Sequence, residues 1–116
     1  MSLKMDISEQ GLMMFFKPYQ IDALKALWEQ NEQSSREIWS AVGEDRISRA
    51  SIINFLEGAV ENGLLDKYEI TGKGGLRGIY KHKYNLSEFK QQLAKTLIEK
   101  LLTEYPETTK QAIKNL

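Results

Sequence analysis

The spacing of hydrophobic residues predicts three short helices in the first part of the chain. Beyond Pro18, which suits the first turn of a helix, apolar residues recur three and four positions apart, as on one face of an α-helix. Two shorter segments follow, each with a serine in front as N-cap and a glycine behind as terminator. The predicted helices are residues 19–31, the segment between Ser35 and Gly43, and the segment between Ser48 and Gly63.

After Gly63 the hydrophobic pattern changes to a period of two. The stretches LLDKYEIT and GIYKHKYNL, residues 64–71 and 78–86, alternate apolar or aromatic side chains with polar ones, which is typical of half-buried strands. The glycine-rich residues between them are predicted to form the hairpin loop. Helical periodicity returns at Ser87 and continues to Tyr105, and the last ten residues predict a further short helix.

Three short helices followed by a two-stranded hairpin form a winged helix-turn-helix, in which the hairpin is the wing. The expected fold is therefore mainly α with a small β-hairpin: a three-helix core plus the wing, and a C-terminal dimerisation helix. We assign residues 1–17 to an N-terminal extension, residues 18–86 to the winged-helix domain, and residues 87–116 to a helical dimerisation segment.

The composition excludes several kinds of site. The sequence contains no cysteine, which excludes disulfides, thiolate metal sites and cysteine nucleophiles. His82 is the only histidine, so an ordinary transition-metal cluster is not expected. Its position between Lys81 and Lys83 on a strand is more typical of a packed or solvated side chain than of a catalytic one. We expect no enzyme activity, no catalytic residue, no metal and no cofactor.

No pattern in the sequence predicts a membrane protein. Every apolar run is far shorter than the roughly 18 residues that a membrane-spanning helix needs. The first ten residues lack the charged-then-apolar pattern of a signal peptide. The expected location is the cytoplasm.

The net charge of zero conceals a gradient along the chain. Residues 1–45 carry a net charge of −4, whereas residues 46–83 carry +3. The positive segment includes GKGGLRGIYKHK, residues 72–83, whose glycines and basic residues are typical of phosphate-binding loops. The P-loop and dinucleotide patterns both fail, since Arg77 stands where the third glycine of a dinucleotide fingerprint belongs. The expected phosphate is therefore that of a nucleic-acid backbone.

The third predicted helix carries a candidate surface for reading DNA bases. With Ile52 and Leu56 turned inward, helical spacing turns five other residues outward: Arg49, Ala50, Ile53, Asn54 and Glu57. Arginine matches guanine, asparagine matches adenine, and isoleucine suits a thymine methyl group. The alternative is an ordinary solvated helix face. The predicted DNA-binding residues here are Ser48, Arg49, Ala50, Ser51, Ile53 and Asn54.

Basic residues of the wing are predicted to contact DNA phosphates. Lys73 and Arg77 would lie on the minor-groove side of a duplex, where flexible glycines let backbone amides approach, and Lys81 completes the set. In the alternative, the glycines only supply positive φ angles to a mobile turn, and the basic residues keep edge strands soluble.

The long C-terminal helix has an apolar stripe that needs a partner surface. Packing back on the same chain is one alternative. We expect packing against a second copy, because symmetric dimers are the commonest assembly. The predicted dimerisation residues are Phe89, Leu93, Leu97, Leu101 and Tyr105.

Five short motifs follow one another along residues 19–105: Leu27-Trp28, Arg36-Glu37-Ile38, Ser48, Ser51-Ile52 and Gly63-Leu64-Leu65. With these motifs the segment resembles the penicillinase repressor-like winged-helix transcriptional regulators. The resemblance implies a DNA-binding repressor with a C-terminal dimerisation helix.

Two functions from different classes remain open at this point. The first is a sequence-specific, homodimeric transcriptional regulator that represses by occupying a palindromic operator in double-stranded DNA. The second is a winged-helix module that binds other proteins in a larger assembly, through its acidic first half and its apolar C-terminal helix. No inducing signal or effector can be read from the sequence.

Overall fold

Pro18 opens the first α-helix, α1 (Pro18–Glu29), in the computed structural model, which describes residues 4–116. The proline lies in the first turn, where its missing N–H is not needed. The Gln20 side chain accepts a hydrogen bond from the Lys17 backbone N–H at 2.9 Å and so fixes the helix start. The buried residues of α1 have the predicted spacing: Ala23, Leu24, Ala26 and Leu27.

The residues before α1 fold back on themselves. A 3₁₀ helix covers Gly11–Met14, and the Asp6 N–H donates to the Met14 carbonyl at 2.7 Å. Phe16 is only 7% exposed, and its ring meets the Phe55 ring edge-on at 5.9 Å. The N-terminal segment, which we define as residues 4–17, thus contributes an aromatic side chain to the core.

A short strand, β1 (Gln33–Ser34), follows α1 and was not predicted, because two residues cannot show an alternation. Ser34 then caps α2 (Ser35–Val42): its hydroxyl accepts the Glu37 N–H, and the Glu37 carboxylate accepts the Ser34 N–H at 3.0 Å. The prediction that Ser35 is the N-cap was wrong by one residue. As predicted, α2 ends at Gly43, whose φ of 126° few other residues adopt.

The third helix, α3 (Arg49–Glu61), begins and ends close to the predicted positions. The Ser48 hydroxyl accepts the Ser51 N–H at 3.1 Å, which confirms Ser48 as the N-cap. Ile52, Leu56 and Ala59 are buried. The face of α3 that meets the core is therefore the one that its sequence predicts.

The wing consists of two antiparallel strands, β2 (Leu65–Gly72) and β3 (Gly75–His82). Because Gly72 pairs with Gly75, only Lys73 and Gly74 remain in the turn. The structure has the predicted hairpin, but its loop is shorter than the predicted glycine-rich stretch. Cross-strand pairing extends the strands through the glycines, which local sequence preference alone does not favour.

The sheet has three strands in the order β1-β3-β2, where a two-stranded hairpin was predicted. The element order α1, β1, α2, α3, β2, β3 is that of a winged helix. The core of residues 4–83 is built from side chains of all three helices and of β2 and β3, and it includes Leu24, Leu27, Ile38, Ile52, Leu56, Leu64, Leu65, Ile79 and Tyr80.

The second compact unit, residues 84–116, contains two helices. In α4 (Leu86–Glu104), Asn85 is the N-cap and exchanges hydrogen bonds with Glu88, so the helix starts one residue before the predicted Ser87. α5 (Pro106–Lys114) is the predicted short C-terminal helix. The Thr109 hydroxyl donates to the Leu101 carbonyl at 3.0 Å and joins α5 to α4.

Candidate nucleic-acid interface

The turn that presents α3 is held by a tryptophan. Trp39 of α2 donates its indole N–H to the Ile47 carbonyl at 2.7 Å, immediately before the N-cap of α3. The Ser48 hydroxyl also donates to the Ser51 hydroxyl at 2.9 Å. These two predicted DNA-binding hydroxyls therefore already have a structural role at the start of α3.

The first half of α3 presents a mixed polar and apolar surface. Arg49, Ala50 and Asn54 are exposed, and Ser51 and Ile53 are half-buried. Residues four apart lie above one another on a helix, so Arg49 and Ile53 form one row, and Ala50 and Asn54 form the next. This surface can present a guanidinium, a carboxamide and an aliphatic side chain together to a partner.

Glu57 was expected to project outward from α3, but the structure turns it to the wing. One carboxylate oxygen accepts hydrogen bonds from Lys67 Nζ and from the Tyr80 hydroxyl, both at 2.6 Å. These bonds hold the pKa of Glu57 below its usual range. Burial, together with this carboxylate, raises the pKa of the Tyr80 hydroxyl. The contact fastens β2 and β3 to α3 and so sets the position of the wing.

The three predicted basic residues of the wing lie in different surroundings. Lys73 is exposed in the turn, and Arg77 is exposed on β3. Lys81 is half-buried, and its ammonium group lies 6.0 Å from the centre of the Tyr68 ring. Strand alternation puts Arg77 and Lys81 on the face of β3 opposite Tyr80, which contacts α3. Strand alternation thus turns both Arg77 and Lys81 away from the face of β3 that contacts α3.

Arg36 is an exposed basic residue that the predicted set leaves out. It is the second residue of α2, next to Glu37. Hydrogen bonding from the Ser34 backbone N–H lowers the pKa of Glu37, with a smaller contribution from the positive charge of Arg77. Arg77 and the start of α2 are therefore close in space. Helical spacing from the buried Ile38 could have indicated the exposure of Arg36, but its proximity to the wing depends on β1, which was not predicted.

His82 is packed inside the winged-helix unit. Its ring stacks on Trp28 with centroids 3.8 Å apart, and its Nε2 lies 2.9 Å from the Leu24 carbonyl oxygen. Because a carbonyl only accepts hydrogen bonds, Nε2 must carry the proton. Burial lowers the pKa of His82 from its ordinary value of 6.5, although this hydrogen bond opposes the shift. His82 contributes to packing, as the sequence had indicated.

The lowered pKa of His82 predicts a loss of stability in mild acid. Above about pH 6.5 the ring is neutral in both the folded and the unfolded chain, and its contribution to stability is complete. As the pH falls from there through the lower pKa of the folded state, the unfolded chain binds the proton first, so the free energy of unfolding decreases. Thermal unfolding between about pH 7 and pH 5 should show this slope. His82→Phe keeps an aromatic ring against Trp28 and should flatten it, whereas an unchanged slope would contradict the assignment.

The predicted dimerisation residues on α4 differ in burial. Phe89 and Leu93 are buried in the single chain, and Leu97 is half-buried. Leu101 is 40% exposed, and Tyr105, which follows the helix, is 62% exposed. Only the second half of the stripe is therefore open to a partner, together with Ile98, which is 43% exposed.

Within residues 4–116 no three His, Asp or Glu side chains come together in a way that could hold a metal ion. None of the helices described is long and apolar enough to cross a bilayer.

Several solved structures are similar in fold, including the following two. A possible transcriptional regulator from Methanosarcina mazei Go1 has a TM-score of 0.58 at 12% identity, covering 86% of this chain and 78% of its own. Stf76 from the Sulfolobus islandicus plasmid-virus pSSVx has a TM-score of 0.50 at 13% identity, covering 66% of this chain and 95% of its own. At such low identity the similarity is one of fold.

Sequence comparison gives no closer relationship. No protein-family model matches the chain. No curated protein matches it either. The resemblance to penicillinase repressor-like regulators is therefore not supported by a family match.

Proposed function

We propose that this protein is a winged-helix transcriptional regulator that binds double-stranded DNA. The observation that carries the proposal is the exposed first half of α3, with Arg49 and Asn54 on its surface and the wing fastened beside it through Glu57. In this arrangement α3 enters the major groove and reads base edges, while Lys73 at the wing turn meets backbone phosphates. One neighbour in fold is described as a possible transcriptional regulator, which agrees with this role.

In its finer form, the proposal is a homodimeric repressor of a palindromic operator, as in the penicillinase repressor-like regulators. The support is the exposed apolar surface of the second unit, formed by Ile98, Leu101 and Tyr105. Pairing of this surface between two copies would provide two α3 helices for two half-sites. Occupation of the operator would then block transcription without any enzymatic step.

Fluorescence anisotropy with a labelled random-sequence duplex tests the proposal. A DNA-binding protein releases counterions from the phosphates, so its affinity should fall steeply as salt rises from about 50 to 200 mM. The chain has no net charge, so such a dependence would come from exposed basic residues such as Arg49, Lys73 and Arg77. Absence of binding even at low salt would overturn the proposal and favour the protein-binding module.

The wing should contribute affinity without specificity. Replacing Lys73 and Arg77 together with alanine should weaken binding to all duplexes alike and reduce the salt slope by about one to two units. Phosphate contacts position a protein on DNA but carry no sequence information directly. The same anisotropy series, run on duplexes of different sequence, measures both effects.

The control variant also removes two positive charges, but from helices outside the wing. Lys90 and Lys114 are exposed on α4 and α5, and their replacement with alanine should leave the salt slope nearly unchanged. If the wing variant loses sequence preference as strongly as affinity, the phosphate role of Lys73 and Arg77 is wrong.

A further inference from the structure

A cleft of about 590 Å³ lies between the N-terminal segment and α3. Apolar side chains of Met13, Phe16 and Phe55 line it, and Asn54 and Asn62 add carboxamides. Its volume is within the range of roughly 300–1,000 Å³ that holds drug-sized molecules. A cleft that combines apolar walls with hydrogen-bonding groups is the usual form of a small-molecule site.

Gly58 leaves the floor of this cleft open. It lies inside α3, where glycine is a poor helix former, and it lines the cleft. A Cβ atom built on Gly58 meets no atom within 4 Å, so the space above it is empty. The fold itself therefore does not require glycine at position 58. An occupant that lies against the backbone of α3 would, because a larger side chain would fill the space that it takes.

The charges around the cleft point to an uncharged occupant. Two lysines and two acids line it, namely Lys4, Lys17, Asp6 and Glu9, so neither sign predominates. Asp6 already accepts the Ser8 backbone N–H at 3.0 Å and the Ser8 hydroxyl at 2.6 Å, and these bonds lower its pKa. Methionine and phenylalanine walls favour a planar ring, since thioether and aromatic groups both make close contacts with aromatic faces.

We propose that this cleft binds a neutral aromatic small molecule. The ring lies against Gly58 between the methionine and phenylalanine side chains, and its polar group is hydrogen-bonded by Asn54 or Asn62. This assignment depends on the cleft alone and holds whether or not α3 binds DNA.

A link to regulation follows from Asn54, which lines the cleft and also belongs to the exposed surface of α3. An occupant that engages this carboxamide withdraws it from a base edge. The link rests on the proposed function, and it predicts that the occupant weakens binding to specific DNA. Both roles use the same side chain, so the coupling needs no change of fold.

Titration with Nile red, a neutral aromatic dye that fluoresces in apolar sites, tests the site without DNA. The full chain should bind one dye molecule saturably. Gly58→Leu, which fills the cleft, and Met13→Glu, which puts a charge into its wall, should each weaken binding by at least about tenfold. Met13 is 37% exposed, so its replacement keeps the fold even if Gly58→Leu does not, as circular dichroism would verify.

Two controls separate the cleft from other apolar surfaces. Gly58→Ala adds only a methyl group to the floor of the cleft and should weaken binding less than Gly58→Leu does. Leu101→Ser changes an equally exposed side chain on α4, at 40%, and should leave dye binding unchanged. Loss of binding in Leu101→Ser, wild-type affinity in folded Met13→Glu, or no saturable binding by the wild type would overturn the site.

The regulatory link is measured separately, by anisotropy of a bound duplex as dye is added. Saturating dye should lower the affinity of the wild type for its preferred duplex and leave that of Gly58→Leu unchanged. If the protein binds dye and DNA independently, the link is wrong while the site stands. If the protein binds dye but no DNA, the proposed function has failed and the site is unaffected.

Discussion

Arg49→Ala and Asn54→Ala should each remove the preference of the protein for one base pair in every half-site. A bidentate contact to guanine or adenine contributes about 1–3 kcal/mol of discrimination, which is roughly 5- to 150-fold between the right base and a wrong one. Both residues are exposed on the first half of α3, so neither replacement disturbs the buried Ile52 and Leu56. Affinity for random duplex should change little for Asn54→Ala, because that side chain carries no charge.

Selection of binding sequences from a random pool measures this preference for each variant. Glu61→Ala is the matched control, since Glu61 is exposed at the far end of α3 and should leave the consensus unchanged. An unchanged consensus for both Arg49→Ala and Asn54→Ala would show that these residues do not read bases.

Replacing Leu101 and Tyr105 with glutamate should give a monomer with greatly weakened operator binding. In favourable geometry, the affinity of two linked half-site contacts exceeds that of a single contact by about a hundred- to ten-thousand-fold. The monomer loses this gain in affinity. Leu97 is half-buried in the single chain, so its replacement would confuse dissociation with unfolding. Light scattering at roughly tens of micromolar measures the mass, and anisotropy measures the affinity.

A matched variant adds the same negative charge to a polar part of α4. Gln91 and Ala94 are exposed, and their replacement with glutamate should leave the dimer intact. A monomeric wild type at these concentrations would contradict the dimer outright.

Helix boundaries could be predicted from the sequence because the signals are local. The Ser48 hydroxyl accepts the backbone N–H of Ser51, only three residues later in the chain. Gly43 and Gly63 have the positive φ angles that end α2 and α3.

β1 could not be predicted in this way, because it pairs Ser34 with Ile79, far away in the chain, and no local pattern specifies such a pairing. The short wing turn was missed for another reason: Gly72 and Gly75 continue the strand pairing although glycine has a low preference for strands.

In the candidate site, too, local features could be predicted and long-range contacts could not. The exposure of Arg49 and Asn54 follows from helical spacing once Ile52 and Leu56 are known to be buried. The direction of the Glu57 side chain cannot be predicted from helical spacing, because its partners Lys67 and Tyr80 come from the wing. The cleft beside α3 was missed for a related reason: its second wall is the N-terminal segment, which Phe16 and Phe55 hold in place across a long stretch of sequence.

Selection of DNA by the wild-type protein from a random duplex pool is the most direct test of the proposed function. We expect an enriched palindromic sequence with two half-sites about one helical turn apart, bound with an affinity that falls steeply with salt. A pool that remains random after repeated rounds, with no salt-dependent binding to any duplex, would contradict it.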